Sequence, residues 1–156
     1  MNIELINGHK NVKLVVSERL LELLKEYGNK HYPNEIGGFL IGYYSNDLKT
    51  LYITDSILPQ KYKSLSNLFE RSTFGISNTL LNLFKIKRQY YIGEWHTHPN
   101  GTTQFSNTDL NAMTEIHDCK TVQIENPILL IISINVSKKV DYTFYLFNNG
   151  ELIRYE

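Results

Sequence analysis

Residues 91–109 read YIGEWHTHPNGTTQFSNTD. Residues 90–97 alternate as a strand, and Pro99 ends it. Pro99, Asn100 and Gly101 open a polar loop over residues 99–105. Ser106 then offers the short hydroxyl side chain that caps a helix. Strand, loop and helix in immediate succession point to an α/β arrangement. Upstream, residues 76–89 read as a helix burying Leu80, Leu83 and Phe84. Residues 60–74 show no clear period and are expected to be irregular. Residues 39–44 and 51–58 read as two strands joined at Ser45-Asn46-Asp47 and ended by Pro59. Residues 13–16 form a short strand. Ser17 caps a helix that carries Leu20, Leu21, Leu23, Leu24 and Tyr27 and is stopped by Gly28. Downstream, the helix opened by Ser106 buries Leu110, Met113 and Ile116. Strands follow at 128–136 and 142–147, and Asn149-Gly150 is a strong hairpin signal leading into 152–155. Helices alternate with strands at first and strands pair locally at the end, so the fold class is α/β with a sheet of mixed direction.

The chain has 156 residues, 42% hydrophobic and 21% charged, which suits one globular domain over 1–156. Sixteen Lys and Arg balance sixteen Asp and Glu, so the basic excess of a general nucleic-acid binder is missing. The single cysteine, Cys119, excludes an internal disulfide and a Cys-rich zinc site. Residues 1–11, MNIELINGHKN, hold no apolar signal segment, and a reducing cytoplasm is the expected location. The run Ile128-Leu129-Leu130-Ile131-Ile132 is far short of the roughly 20 residues of a membrane span and reads as a buried strand.

His96 and His98 stand two apart on a strand, so both imidazoles leave one face. Two nitrogens on one rigid face suit zinc. Asp109 falls in the first turn of the next helix and supplies an oxygen as third ligand if the loop folds back. Two His and one Asp leave a fourth position for water, the pattern of a catalytic site. A general base outside that set is needed, and Glu35 is the candidate. A carboxylate ahead of an apolar strand is costly unless it is used. Gly37, Gly38 and Gly42 around it suggest closely approaching backbones. Ser106 can cap its helix and also donate to a developing oxyanion.

The arrangement resembles the JAMM (MPN-type) metallopeptidase family. The family pattern of E-x-x-G-x-L-x-G, H-x-H-P and S-x-x-D is met by Glu35, Gly38, Leu40 and Gly42, then His96, His98 and Pro99, then Ser106 and Asp109. The resemblance covers about residues 13–136 in order of elements. It implies a cytidine-deaminase-like fold, a curved mixed sheet packed between helices, and a zinc isopeptidase or peptidase. Glu35 would activate the water, Ser106 would support the oxyanion, and His96, His98 and Asp109 would bind Zn2+. The stretches at 37–44 and 91–99, with Phe69 and Arg71 between them, are similar to the small bacterial branch of mobile elements and antiphage operons. In CBASS and ubiquitin-like conjugation operons such proteins remove a protein from its conjugated targets. The implied partner is therefore a conjugated or ubiquitin-like protein with an extended C-terminal tail, and residues 60–74 and 100–105 would frame a channel for it. Two alternatives stand beside this: a non-catalytic scaffold of the same fold, and a peptidase processing a sulfur-carrier or ubiquitin-like precursor. A zinc nucleobase deaminase would need a P-C-x-x-C pair, which one cysteine rules out.

Other residues carry plainer expectations. Glu94 is expected on the face opposite the histidines, in a structural role. Trp95 is expected in the core. His9, His31 and His117 default to surface or satisfied core positions. Cys119 reads as a half-buried small hydrophobe. Lys61, Lys63 and Arg71 read as a solvated loop.

Overall fold

The computed structural model describes residues 1–8 and 11–156. Along the chain come β1 (Asn2–Leu5), β2 (Lys13–Ser17), α1 (Glu18–His31), β3 (Gly37–Tyr44), β4 (Thr50–Ile57), β5 (Tyr62–Leu65), β6 (Leu68–Arg71) and α2 (Ser77–Lys87). Then follow β7 (Tyr90–Pro99), α3 (Asn107–Asp118), β8 (Ile128–Ile134), β9 (Val140–Asn148) and β10 (Glu151–Arg154). Among the described residues, eight strands make one sheet in the order β1-β2-β4-β3-β7-β8-β9-β10, and β5 and β6 make a separate hairpin. Within the large sheet β2 runs parallel to β4 and β7 parallel to β8; the other pairs are antiparallel. The mixed direction expected from the sequence is thus observed. Asn149 and Gly150 both have positive φ, at 50° and 80°, and turn β9 into β10 as their pairing predicts.

α1 covers one face of the sheet and α3 the other. Leu20, Leu21 and Leu24 of α1 pack with Leu14, Leu40, Trp95, Leu130, Ile132 and Phe144. On the other face Met113 and Ile116 of α3 pack with Leu129, Ile131, Tyr145 and Phe147. β8 is buried on both sides, which is why its sequence ILLIISI is almost continuously apolar. Beyond β1, Ile6 and Glu156 exchange N–H···O bonds of 2.8 and 3.0 Å. The two outer margins of the sheet therefore touch, and the sheet curls around α1.

Several elements differ from the sequence reading. Gly28 does not stop α1. It lies inside the last turn, where an added Cβ would come within 2.6 Å of Ile134 Cδ1 and 2.9 Å of Thr97 Cγ2. Close approach to the sheet, and not helix termination, selects glycine there. Residues 60–74 are not irregular: β5 and β6 pair from Tyr62↔Arg71 to Leu65↔Leu68. Strands of four residues with charge on the exposed side carry too little alternation to be read. β1, whose sequence NIEL does alternate in burial, was not expected either. α2 spans the expected region but buries none of its residues, and Phe84 is 47% exposed. β7 continues through His98 and Pro99, past the expected end at 97.

The pairing of β3 with β7 sets the site. Gly37 lies opposite His96, and an added Cβ would meet Trp95 O at 2.2 Å, a backbone atom that cannot step aside. Just before it, the Ile36 N–H donates to Thr97 Oγ1 (3.0 Å) and the Thr97 N–H donates to Ile36 O (2.8 Å). Thr97 is fully buried. Replacing it by Val keeps the shape and leaves the Ile36 N–H without its acceptor. Thr97→Val should lower stability by about 1–3 kcal/mol, read as a fall in the urea unfolding midpoint at unchanged slope.

Candidate metal centre and active site

Period-two alternation on β7 sends Thr97 toward α1 and His96 and His98 toward α3. Ser106 reaches the same place through a capping box. Its Oγ accepts the Asp109 N–H (3.1 Å), and Asp109 Oδ2 accepts the Ser106 N–H (2.7 Å). The carboxylate is thereby held over the histidines, with Oδ1 3.1 Å from His96 Nε2 and Oδ2 3.4 Å from His98 Nε2. The two Nε2 atoms are 3.0 Å apart. His98 Nδ1 lies 2.9 Å from the Thr102 carbonyl, which can only accept, so Nδ1 carries a proton; Nε2 keeps its lone pair in the neutral ring, the form a metal needs, and donates to Asp109 in the charged ring.

These three donors can hold a metal ion. Bonds of about 2.0–2.1 Å in a tetrahedron place neighbouring ligand atoms about 3.3 Å apart; the two Nε2 atoms, 3.0 Å apart, come near that edge, and a different oxygen of the Asp109 carboxylate approaches each of them. Burial opposes charge on Asp109, but bonds from both imidazoles and from the Ser106 N–H outweigh it, and its pKa lies far below the carboxylate range. Burial likewise opposes charge on His98, yet its bonds to Asp109 and Thr102 raise its pKa above the ordinary value.

Glu35 lines the same cavity, of about 520 Å³, with His96, His98, Ser106 and Asp109. Its backbone is fixed by the hairpin: the Glu35 N–H donates to Leu65 O (2.7 Å), and the Ser64 hydroxyl donates to Glu35 O. Burial raises the Glu35 pKa, while the two histidines pull part of it back. The structure thus brings all five candidate residues to one cavity. Ser106 Oγ is committed as an acceptor to its cap, which leaves its O–H free to donate.

Other expectations need correction. Glu94 is not opposite the histidines. It shares their parity on β7, pairs with Leu129 on the α3 side, and lines the cavity. The two-residue repeat that aligned His96 with His98 extends to it. Arg71 is not a solvated loop residue: its Nε donates to Glu94 Oε1 (2.8 Å), its Nη2 donates to the same oxygen, and so does the Tyr91 hydroxyl (3.0 Å). Lys61 and Lys63 are exposed as expected, and Trp95 is in the core. Cys119 is partly exposed at the end of α3, where a contact of 3.2 Å with the Thr121 hydroxyl draws its thiol pKa below the ordinary value. His31 bonds the Tyr27 carbonyl and His117 pairs with Asp118, while His9 lies outside the described residues.

Residues 17–146 match the prokaryotic homologs of the JAB domain. The chain belongs to that family. A relative within reach of this JAB domain is a protein of Enterobacter hormaechei subsp. hoffmannii (strain UCI 50) named CD-NTase/cGAS isopeptidase. It is 32% identical over 120 residues, which cover 76% of this chain and 66% of that protein. The chain thus spans just under two thirds of its relative. The solution structure of a Desulfitobacterium hafniense protein superposes with a TM-score of 0.67 at 16% identity, covering 89% of this chain and 87% of the other, and shares the fold. The resemblance read from the motifs and the α/β fold it implied are both supported by these matches. Among the described residues no helix is long and apolar enough to cross a membrane.

The titration directions give opposite pH dependences with and without metal. Raised in the fold, the His98 pKa contributes stability below about pH 6.5 that is lost as pH rises through the folded value. Depressed in the fold, the Asp109 pKa contributes stability above about pH 4 that is lost as pH falls. With chelator present, the Asp109→Asn variant should therefore lose most Tm, relative to the parent, between about pH 4 and 6.5. Metal needs neutral imidazole, so the Tm gap between metal-supplemented and chelated parent should widen from pH 5 to pH 8. Scanning calorimetry across that range checks both trends.

Proposed function

We propose that this JAB-family chain is a zinc-dependent isopeptidase that hydrolyses the bond after the C-terminus of a protein conjugated to another. The observation that carries the reading is the close set of three donors beside a half-buried carboxylate in an open cavity. His96, His98 and Asp109 would hold the ion. When bound, zinc supplies a Lewis acid and a water acidic enough to attack near neutral pH.

The remaining chemistry falls to this chain's own side chains. Glu35 accepts a proton from the attacking water and returns it to the leaving amine. Its raised pKa moves it toward the range where a base can do both. The free Ser106 O–H donates to the carbonyl oxygen as that oxygen gains negative charge. Residues 66–69 of the hairpin turn wall the cavity on one side, and Pro99 and Gly101 wall it on the other. Such walls admit an extended tail and exclude a folded chain, which suits cleavage at a flexible junction.

The substrate we propose is a nucleotidyltransferase-type protein joined through its C-terminus to a target in an antiphage, CBASS-like system of the cytoplasm. The name of the Enterobacter relative supports this choice. A chain with one free thiol accords with a reducing compartment. Domain extent is proposed to be the single unit over 1–156.

The experiment uses a CD-NTase fused at its C-terminus to a fluorescent protein. Zinc-loaded protein should cut at the junction, chelation should stop it, and added zinc should restore it. Glu35→Gln should lower the rate at least about a hundredfold while elemental analysis still finds zinc. His96→Ala with His98→Ala should lose both zinc and cleavage. An intact fusion after exposure to the zinc-loaded parent would remove the proposed substrate, and near-normal turnover by Glu35→Gln would remove the proposed base.

A further inference from the structure

The loop over residues 99–105 leaves β7 beside the candidate metal centre and comes down on β9. Period-two alternation on β9 sends Tyr142, Phe144 and Leu146 toward the α1 core and Tyr145 and Phe147 toward the α3 core. Thr143 shares the parity of Tyr145. Along one row of the sheet His96 pairs with Ile131, and Ile131 pairs with Thr143. Thr143 therefore stands two strands from His96, about 10 Å across the sheet, on the same face. The loop crosses β8 to reach it.

Two buried side chains of β9 hold the loop there. The Tyr145 hydroxyl donates to Thr103 O (2.8 Å), and the Thr143 hydroxyl donates to Thr103 Oγ1 (2.7 Å). Thr102, one residue earlier, is exposed, and its carbonyl is the acceptor 2.9 Å from His98 Nδ1. That carbonyl lies in the rigid peptide plane that ends at Thr103 Cα. Thr103 is held at its side chain and at its own carbonyl, so the plane has little freedom to turn away from His98.

The tyrosine ring makes a second connection. It meets the Phe105 ring edge-on, with centroids 5.3 Å apart and planes at 86°. Phe105 directly precedes Ser106, the cap whose box holds Asp109. Phe105 and Leu110 occupy the two positions of a hydrophobic staple, and both pack on the α3 core. One buried side chain thus reaches His98 through its hydroxyl and Asp109 through its ring.

We infer that Tyr145 is a positioning residue of the metal centre: its hydroxyl keeps the Thr102 carbonyl on His98, and its ring seats the cap that carries Asp109. That the two ligands serve a metal rests on the zinc reading; the anchoring itself rests on the bonds to Thr103 and the contact with Phe105.

The test measures zinc affinity of the full chain by competition with a chromophoric chelator. Tyr145→Phe keeps the ring and removes the hydroxyl. It should weaken zinc binding about tenfold, as loss of an outer hydrogen-bond partner does. Thr143→Val removes the second anchor, which bonds only the Thr103 side chain, and should weaken binding by a smaller factor. Phe147→Leu is the control for general core damage. It lies two residues along on the same face of β9, and its backbone bonds go to Pro127 and Asn126. It should lower Tm and leave zinc affinity unchanged. NMR of the zinc-loaded protein gives a second readout. The His98 Nδ1–H should exchange slowly with water in the parent and in Phe147→Leu, and about tenfold faster in Tyr145→Phe, where the loop opens more often. Parental zinc affinity and an equally slow Nδ1–H in Tyr145→Phe would overturn the inference and leave the zinc reading standing. Equal losses of affinity in Phe147→Leu and Tyr145→Phe would also overturn it, by showing an effect of stability alone. A parent that takes up no zinc would remove the zinc reading and this role with it.

Discussion

Thr97 stands between the two histidines and points the other way. Its hydroxyl oxygen receives the Ile36 N–H, its own N–H reaches the Ile36 carbonyl, and its methyl fills the space that Gly28 leaves open. One fully buried side chain thus joins α1, the approach to β3 and the C-terminal part of β7. Because Thr97 faces inward, His96 and His98 must face the cavity. Because Ile36 is fixed to Thr97, Glu35 must arrive beside them. The relative placement of Glu35, His96 and His98 follows from this buried bond pair and from the glycine at position 37 that lets the two strands approach.

Much of the fold was legible because its signals are local. Ser17 and Ser106 cap the helices they were expected to cap, and Asn149-Gly150 turns the last hairpin. That the five candidate residues share one cavity was legible because a short strand, a proline and a capping serine fix the spacing of four of them within one contiguous stretch, with Glu35 added by its glycine context. What was missed depends on tertiary contact. Gly28 reads as a helix stop until Ile134 and Thr97 are seen against it. The β5–β6 hairpin makes its principal bonds to Glu35 and Glu94, far away in sequence. Glu94 was misplaced for a different reason, since the repeat that aligned His96 and His98 already put it on their face.

Electrostatics separates the two halves of the cavity. Around the ligands, Asp109 accepts bonds from two imidazoles and a backbone amide, so negative charge is concentrated there and answered by groups that can release protons. Around Arg71 the opposite charges cancel within one pair, braced by Tyr91, whose hydroxyl is pushed well above its ordinary pKa by burial and by Glu94. The hairpin touches both halves, through Glu35 at β5 and through Arg71 at β6. A displacement of that hairpin would be felt at Glu35 and at the Arg71–Glu94 pair together.

Trp95 is the sole tryptophan of the chain, 1% exposed, with its indole N–H bonded to the Ser56 hydroxyl at 2.9 Å. It is covalently adjacent to His96. The molecule therefore carries a single indole fluorophore, shielded from water, one residue from a nitrogen of the candidate metal centre. Its emission reports one strand and no other. A closed-shell ion in the cavity leaves that emission largely intact, whereas an open-shell ion such as Co2+ or Cu2+ offers a short path for quenching. The colour and lifetime of one ring thus become an optical readout of which kind of ion occupies the centre.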